Sequence, residues 1–125
     1  IEKRTTMVPK FQNAELKVMN VLWEKGGMPA KELARIMNER EGWNVNTTYT
    51  LIKRCIKKNG IKRQEPNFMC YALIDKKEVQ ISETWELIDK IYEGSEVNLF
   101  ASLLCHQKLK PEEIEYLKEI IEQIE

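Results

Sequence analysis

Asn46, Thr47, Tyr49, Thr50, Lys53, Arg54 and Lys57 fall within one short stretch, and Lys58, Lys62 and Arg63 follow directly. These residue types match the edges and backbone of a DNA duplex. Asn bonds adenine in bidentate fashion, Arg or Lys bonds guanine, and a Thr methyl meets the methyl of thymine. Thr hydroxyls and Lys ammonium groups reach phosphates. From Trp43 through Gln64 there are six Lys or Arg and no Asp or Glu, so the segment carries an uninterrupted positive field. The competing readings of such a run are a solvated basic face and a surface that docks an acidic protein.

Other chemistries find less support. His106 is the sole histidine, so any Ser-His-Asp or Cys-His arrangement must use it. It stands beside Cys105 on an amphipathic stretch, which makes a small enzyme built on that pair the weakest reading. The five glycines lie at apparent element ends, leaving no Gly-rich phosphate loop. Cys55, Cys70 and Cys105 are widely spaced and odd in number, which fits neither a disulfide framework nor a paired zinc pattern. No metal, no cofactor and no catalysis are expected.

The elements that must position the basic stretch follow from periodicity. Asn13 is placed to cap a first helix, in which Leu16, Met19 and Trp23 recur with Val18 and Leu22, until Gly26-Gly27 stop it. Pro29 suits the first turn of a second helix that buries Leu33, Ile36 and Met37. A third helix is expected after an Asn46 N-cap, ending near Asn59-Gly60. Thr48, Leu51, Ile52, Cys55 and Ile56 form its packed face, the polar and cationic residues fill the opposite side, and Tyr49 lies on the border. Ile61 to Gln64 and Phe68 to Leu73 read as a hairpin around Glu65-Pro66-Asn67. Three helices followed by a hairpin is the element order of a winged helix-turn-helix.

Beyond Asp75 the pattern is helical. Trp85, Ile88 and Tyr92 share one helix, Phe100, Leu103 and Leu104 a second, and Ile114, Leu117, Ile121 and Ile124 a third. So short a segment exposes too much surface to bury these side chains alone. The expected partner is a second copy of the chain about a two-fold axis. The expected fold is therefore mainly α: a winged helix-turn-helix domain over 11–74 and a small three-helix dimerisation domain over 75–125.

Composition agrees with this division. The 125 residues carry 20 basic and 20 acidic side chains, but residues 1–74 hold 14 basic against 7 acidic, and residues 75–125 hold 6 against 13. An acidic body repels a duplex and leaves the basic half to approach it. A hydrophobic content of 42% supplies a core and argues against intrinsic disorder. The apolar run Val97 to Cys105 is about half of what a bilayer span needs, so a cytoplasmic protein without membrane insertion is expected.

The stretches Asn13-Ala14-Glu15-Leu16-Lys17-Val18-Met19-Asn20-Val21-Leu22-Trp23, Trp43-Asn44-Val45-Asn46-Thr47-Thr48-Tyr49-Thr50-Leu51 and Lys53-Arg54-Cys55-Ile56-Lys57-Lys58, in this order, resemble the penicillinase-repressor family. Tyr92-Glu93-Gly94 and Pro111-Glu112-Glu113-Ile114 extend the resemblance towards the end of the chain. It implies a homodimeric transcriptional repressor bound to an inverted-repeat operator that overlaps a promoter, controlling a β-lactamase-type or other resistance operon. It also implies that Asn46, Tyr49 and Thr50 face bases while Thr47, Arg54 and Lys57 face the backbone. In well-known members a membrane sensor triggers proteolysis in the dimerisation domain; the aligned dipeptide here is Ser102-Leu103. The family's basic wing tip is replaced by Pro66-Asn67-Phe68, and the CxC pair of its copper-responsive branch is absent.

Overall fold

The first helix starts where a carboxylate folds back on its own N-terminus. Glu15 Oε1 accepts the backbone N–H of Gln12 at 2.7 Å, so Gln12 is the cap and Asn13 the first helical residue of α1 (Asn13–Lys25). The expected cap at Asn13 is thus one residue late, because the Glu15 side chain reaches past it. In this computed structural model, which describes residues 8–106 and 109–124, the order continues with β1 (Met28–Pro29), α2 (Ala30–Glu41), α3 (Val45–Lys57), β2 (Ile61–Gln64), β3 (Met69–Ala72), α4 (Lys76–Ile91), α5 (Glu96–His106) and α6 (Pro111–Glu122).

Pro29 precedes α2 instead of entering it. It is extended (φ −63°, ψ 148°) and lies in the edge strand β1, opposite Met69 of β3, where a missing N–H costs no ladder bond. This strand was not expected, since two residues carry no readable alternation. The sheet order is β1-β3-β2, with Arg63 opposite Cys70 and Gln64 opposite Met69. The second hairpin strand is shorter than expected: Phe68 belongs to the turn, with φ 49° after Asn67 at φ 73°, while the Leu73 N–H bonds Gly60 O at 2.9 Å.

α3 begins two residues earlier than expected. Its cap is Asn44, whose side chain accepts the Thr47 N–H at 2.9 Å, so Asn46 lies inside the first turn. Either asparagine could cap by type; the chain's path out of α2 decides between them. Gly42 ends α2 in the left-handed region (φ 74°) with its N–H on Asn38 O, and the Asn38 amide donates to Trp43 O at 2.8 Å. Together these place Asn44 at the helix entrance. At the far end Gly60 is required for a different reason: a Cβ there would meet the Phe11 ring 2.5 Å away.

The described chain divides into two compact units, one ending at Thr84 and the other starting at Trp85, with the division inside α4. In the first, Val18, Met19, Leu22, Leu33, Met37, Leu51, Ile52, Cys55, Ile61 and Cys70 make a continuous buried core that Val79 of α4 joins. Trp23 Nε1 donates to Ile74 O at 2.8 Å, tying α1 to the approach of α4. The second unit has little interior. Ile88 and Leu99 are buried, Tyr92 and Ser102 are within hydrogen-bond reach at 3.4 Å, and no side chain of α6 is buried. Among the expected contact residues, Ile88 is thus covered by its own chain and Trp85 and Tyr92 are half-buried, whereas Phe100, Leu103, Leu104, Ile114, Leu117, Ile121 and Ile124 are exposed.

Candidate nucleic-acid interface

α3 presents two faces, divided as its periodicity requires. Thr48, Leu51, Ile52 and Cys55 are buried against the core, and Ile56 is half-buried beside them. Asn46, Thr47, Thr50, Lys53, Arg54 and Lys57 are all exposed. Tyr49 is half-buried, with its ring edge-on to Phe68 of the wing at 5.8 Å between centroids. A base-facing role for Tyr49 would therefore use a side chain already braced by the hairpin.

The cations differ in what holds them. Lys58 is half-buried and held: its ammonium donates to Glu15 Oε1 at 2.6 Å and to Lys10 O at 2.8 Å, and the carboxylate it meets is only 1% exposed as a residue. Lys58 is thereby engaged within its own chain, because a buried carboxylate requires its partner. Arg63 is similarly engaged. Its guanidinium pairs with Glu65 and lies 3.6 Å from the centroid of the Phe68 ring. Among the described residues, no ion pair restrains Lys53, Arg54, Lys57 or Lys62, and all are exposed. The positive face is accordingly narrower than the sequence run suggests, and it centres on α3.

Two residues not expected at this face from the sequence bear on it. Lys31, in the first turn of α2, lines an apolar-walled groove of about 550 Å³ with Val45 and Tyr49. Its exposed ammonium adds a cation to the same side. Glu15 is the other. Burial raises the affinity of its carboxyl for a proton, but the Lys58 bond, the Gln12 N–H and the charges of Lys58 and Arg54 outweigh burial and hold its pKa below the usual value of 4.5. The burial of residue 15 within a helix was not readable, since its partner lies 43 residues away.

This clasp pins the C-terminal end of α3 to the start of α1, and it sets a pH dependence. A carboxyl whose folded pKa is depressed contributes stability above its unfolded pKa, and the contribution is lost as pH falls through 4.5 towards the lower folded value. Glu15→Gln is expected to cost ~2 kcal/mol at pH 7, less than for a fully buried pair because Lys58 is partly exposed. Denaturant melts from pH 7 to 3 should show the gap between wild type and variant closing in that acid window. A gap independent of pH would contradict the assignment.

Two of the three cysteines, Cys55 and Cys70, are buried. Burial pushes the Cys55 thiol up to about 12, aided by the nearby Glu15 charge, and burial pushes Cys70 up to about 11. Both are core hydrophobes that hold little thiolate at neutral pH. His106 Nδ1 lies 3.0 Å from Ser102 O, one turn back in its own helix, and adjacent helical residues such as Cys105 do not face each other. Among the described residues no three His, Cys, Asp or Glu gather as metal ligands, and no described helix is long and apolar enough to cross a membrane.

The family model described as "Penicillinase repressor" matches residues 11–123. The chain belongs to the penicillinase repressor family. This penicillinase repressor homologue is 29% identical over 114 residues to the methicillin resistance regulatory protein MecI of Staphylococcus aureus, covering 90% of this chain and 93% of that one. It is 25% identical over 118 residues to the penicillinase repressor of Bacillus licheniformis, covering 93% and 92%. The solved DNA-binding domain of the repressor BlaI superposes with a TM-score of 0.53 at 26% identity, covering 57% of this chain and 89% of that one. The family is one of DNA-binding transcriptional repressors, and the winged helix-turn-helix expected from the element order is the fold found.

Proposed function

We propose that the protein is a homodimeric repressor whose residues 11–74 bind operator DNA and whose residues 75–125 pair two copies. The observation that carries this reading is the exposed side of α3, where Lys53, Arg54 and Lys57 form no ion pair among the described residues and stand beside Asn46, Thr47 and Thr50. A helix of this kind fits the major groove, and two such helices about 34 Å apart meet successive grooves on one side of the duplex. An inverted-repeat operator follows from the two-fold axis. Repression is then steric, by occupation of a promoter.

The apolar residues exposed on α5 and α6 support the pairing, since a stable interface must cover on the order of 1,200–2,000 Å². Kinship with relatives named for penicillinase repression and methicillin resistance supports control of a β-lactamase-type or other resistance operon. A sensor protease is a further partner in this reading. Ser102 and Leu103 lie inside α5, so cleavage between them requires that helix to open first.

Selection of duplexes from a random-sequence pool tests the reading. The expected product is an inverted repeat whose half-sites lie one helical turn, or a multiple of it, apart. Engagement of Arg63 by Glu65 and Phe68 withdraws charge from the wing and favours the competing reading, a module that docks an acidic protein. No enrichment over the starting pool, together with capture of an acidic partner, would establish that alternative.

A further inference from the structure

We infer that Val45 is a specificity-determining residue, set to contact the C5-methyl group of a thymine in the major groove; this deepens the DNA-binding reading above and rests on it. Capping by Asn44 makes Val45, and not a residue after Asn46, the first helical position of α3. The N-terminal residues of a recognition helix are those that reach base edges. Val45 is 54% exposed, so it contributes little to the core, and a β-branched residue is a modest helix former. Its presentation to solvent at this position has no structural account within one chain.

The surroundings suit a methyl group. Val45 forms part of the groove between α2 and α3, whose walls include Pro29, Ala34 and Tyr49 and whose rim carries Lys31. Tyr49, one turn along from Val45, is fixed by its edge contact with Phe68, and Asn38 fixes the turn that leads into the helix through Trp43 O. Val45 is itself restricted to few rotamers, so the apolar spot is rigid. Of the charged groups lining the groove, Arg35 is paired with Glu32 and Glu39, whereas Lys31 on α2 forms no ion pair among the described residues. An apolar spot with an unpaired cation at its edge is complementary to an apolar group carried on a polyanion. Of the four bases in the major groove, thymine alone presents a methyl there.

Duplexes enriched from a random pool by the wild-type protein supply the probe. Each thymine is replaced in turn by deoxyuridine, which deletes the methyl and leaves the pairing edge intact. At one position in each half-site the wild type should bind the uridine duplex about fourfold to tenfold more weakly. Val45→Ser should bind the two duplexes equally at that position, and Val45→Ile should keep the preference. Wild-type indifference to uridine at every position, or an unchanged penalty in Val45→Ser, would overturn the role of Val45 while leaving DNA binding standing. Failure of the wild type to enrich any duplex would overturn both.

Discussion

Leu117→Asp is expected to lower operator affinity by a factor of about 10² to 10⁴ while the winged helix stays folded. Leu117 lies on α6, none of whose side chains is buried in one copy, and Ile121, one turn further along, is 64% exposed. In the proposed dimer these residues are covered by the partner, so a carboxylate there would be desolvated without a counter-charge. The winged-helix core needs none of α6, since its buried cluster runs from Phe11 to Val79. Loss of pairing removes the second head from the neighbourhood of its half-site, and with it the gain in effective concentration. Sedimentation should show a single copy, circular dichroism an intact helical melt for the first unit, and gel shifts the loss of binding. A monomeric variant that keeps full affinity would refute the dimeric account.

The second large effect is electrostatic. Lys53, Arg54, Lys57 and Lys62 in each of two heads place six to eight phosphate contacts within reach, so affinity should fall roughly 10³- to 10⁴-fold between 50 and 200 mM salt. Arg54→Ala should weaken binding to all sequences alike and reduce the log–log salt slope by about one per head. Asn46→Ala should instead flatten the preference at one position of each half-site. Lys58→Ala provides a control: because Lys58 is held by Glu15 and Lys10 O, its loss should lower stability while leaving the slope close to that of wild type. A slope reduced as much by Lys58→Ala as by Arg54→Ala would contradict the division between free and engaged cations.

The contrast between Arg54 and Lys58 shows what is legible in a sequence. The third helix's packed face was readable because burial repeats with the helical period, and Thr48, Leu51, Ile52 and Cys55 are indeed buried. The exposure of Arg54 and Lys57 follows from the same period. The fate of Lys58 depends on Glu15, which lies on a different helix, and no local pattern encodes such a contact. The pairing of Arg63 has a nearer cause: Glu65 lies just beyond the carboxylate-free run and folds back on it. The start of α3 is not encoded locally, because Asn44 and Asn46 are equivalent by type and tertiary bonds at Gly42 and Asn38 choose between them. In the C-terminal half, the apolar repeat distinguished buried from surface positions poorly. Ile88 is covered within its own chain whereas Ile121 is not, a difference set by packing and not by spacing.

The exposed side of α3 is the proposed DNA-contacting surface, and amide chemical-shift mapping would locate the contact residue by residue. Titrating the isotope-labelled protein with an enriched duplex should move the resonances of Val45, Asn46, Thr47, Thr50, Arg54 and Lys57, together with Lys31 at the entrance of α2. The buried Ile52 and Cys55 should respond less. A shift map that leaves α3 silent and concentrates elsewhere on the chain would contradict the account.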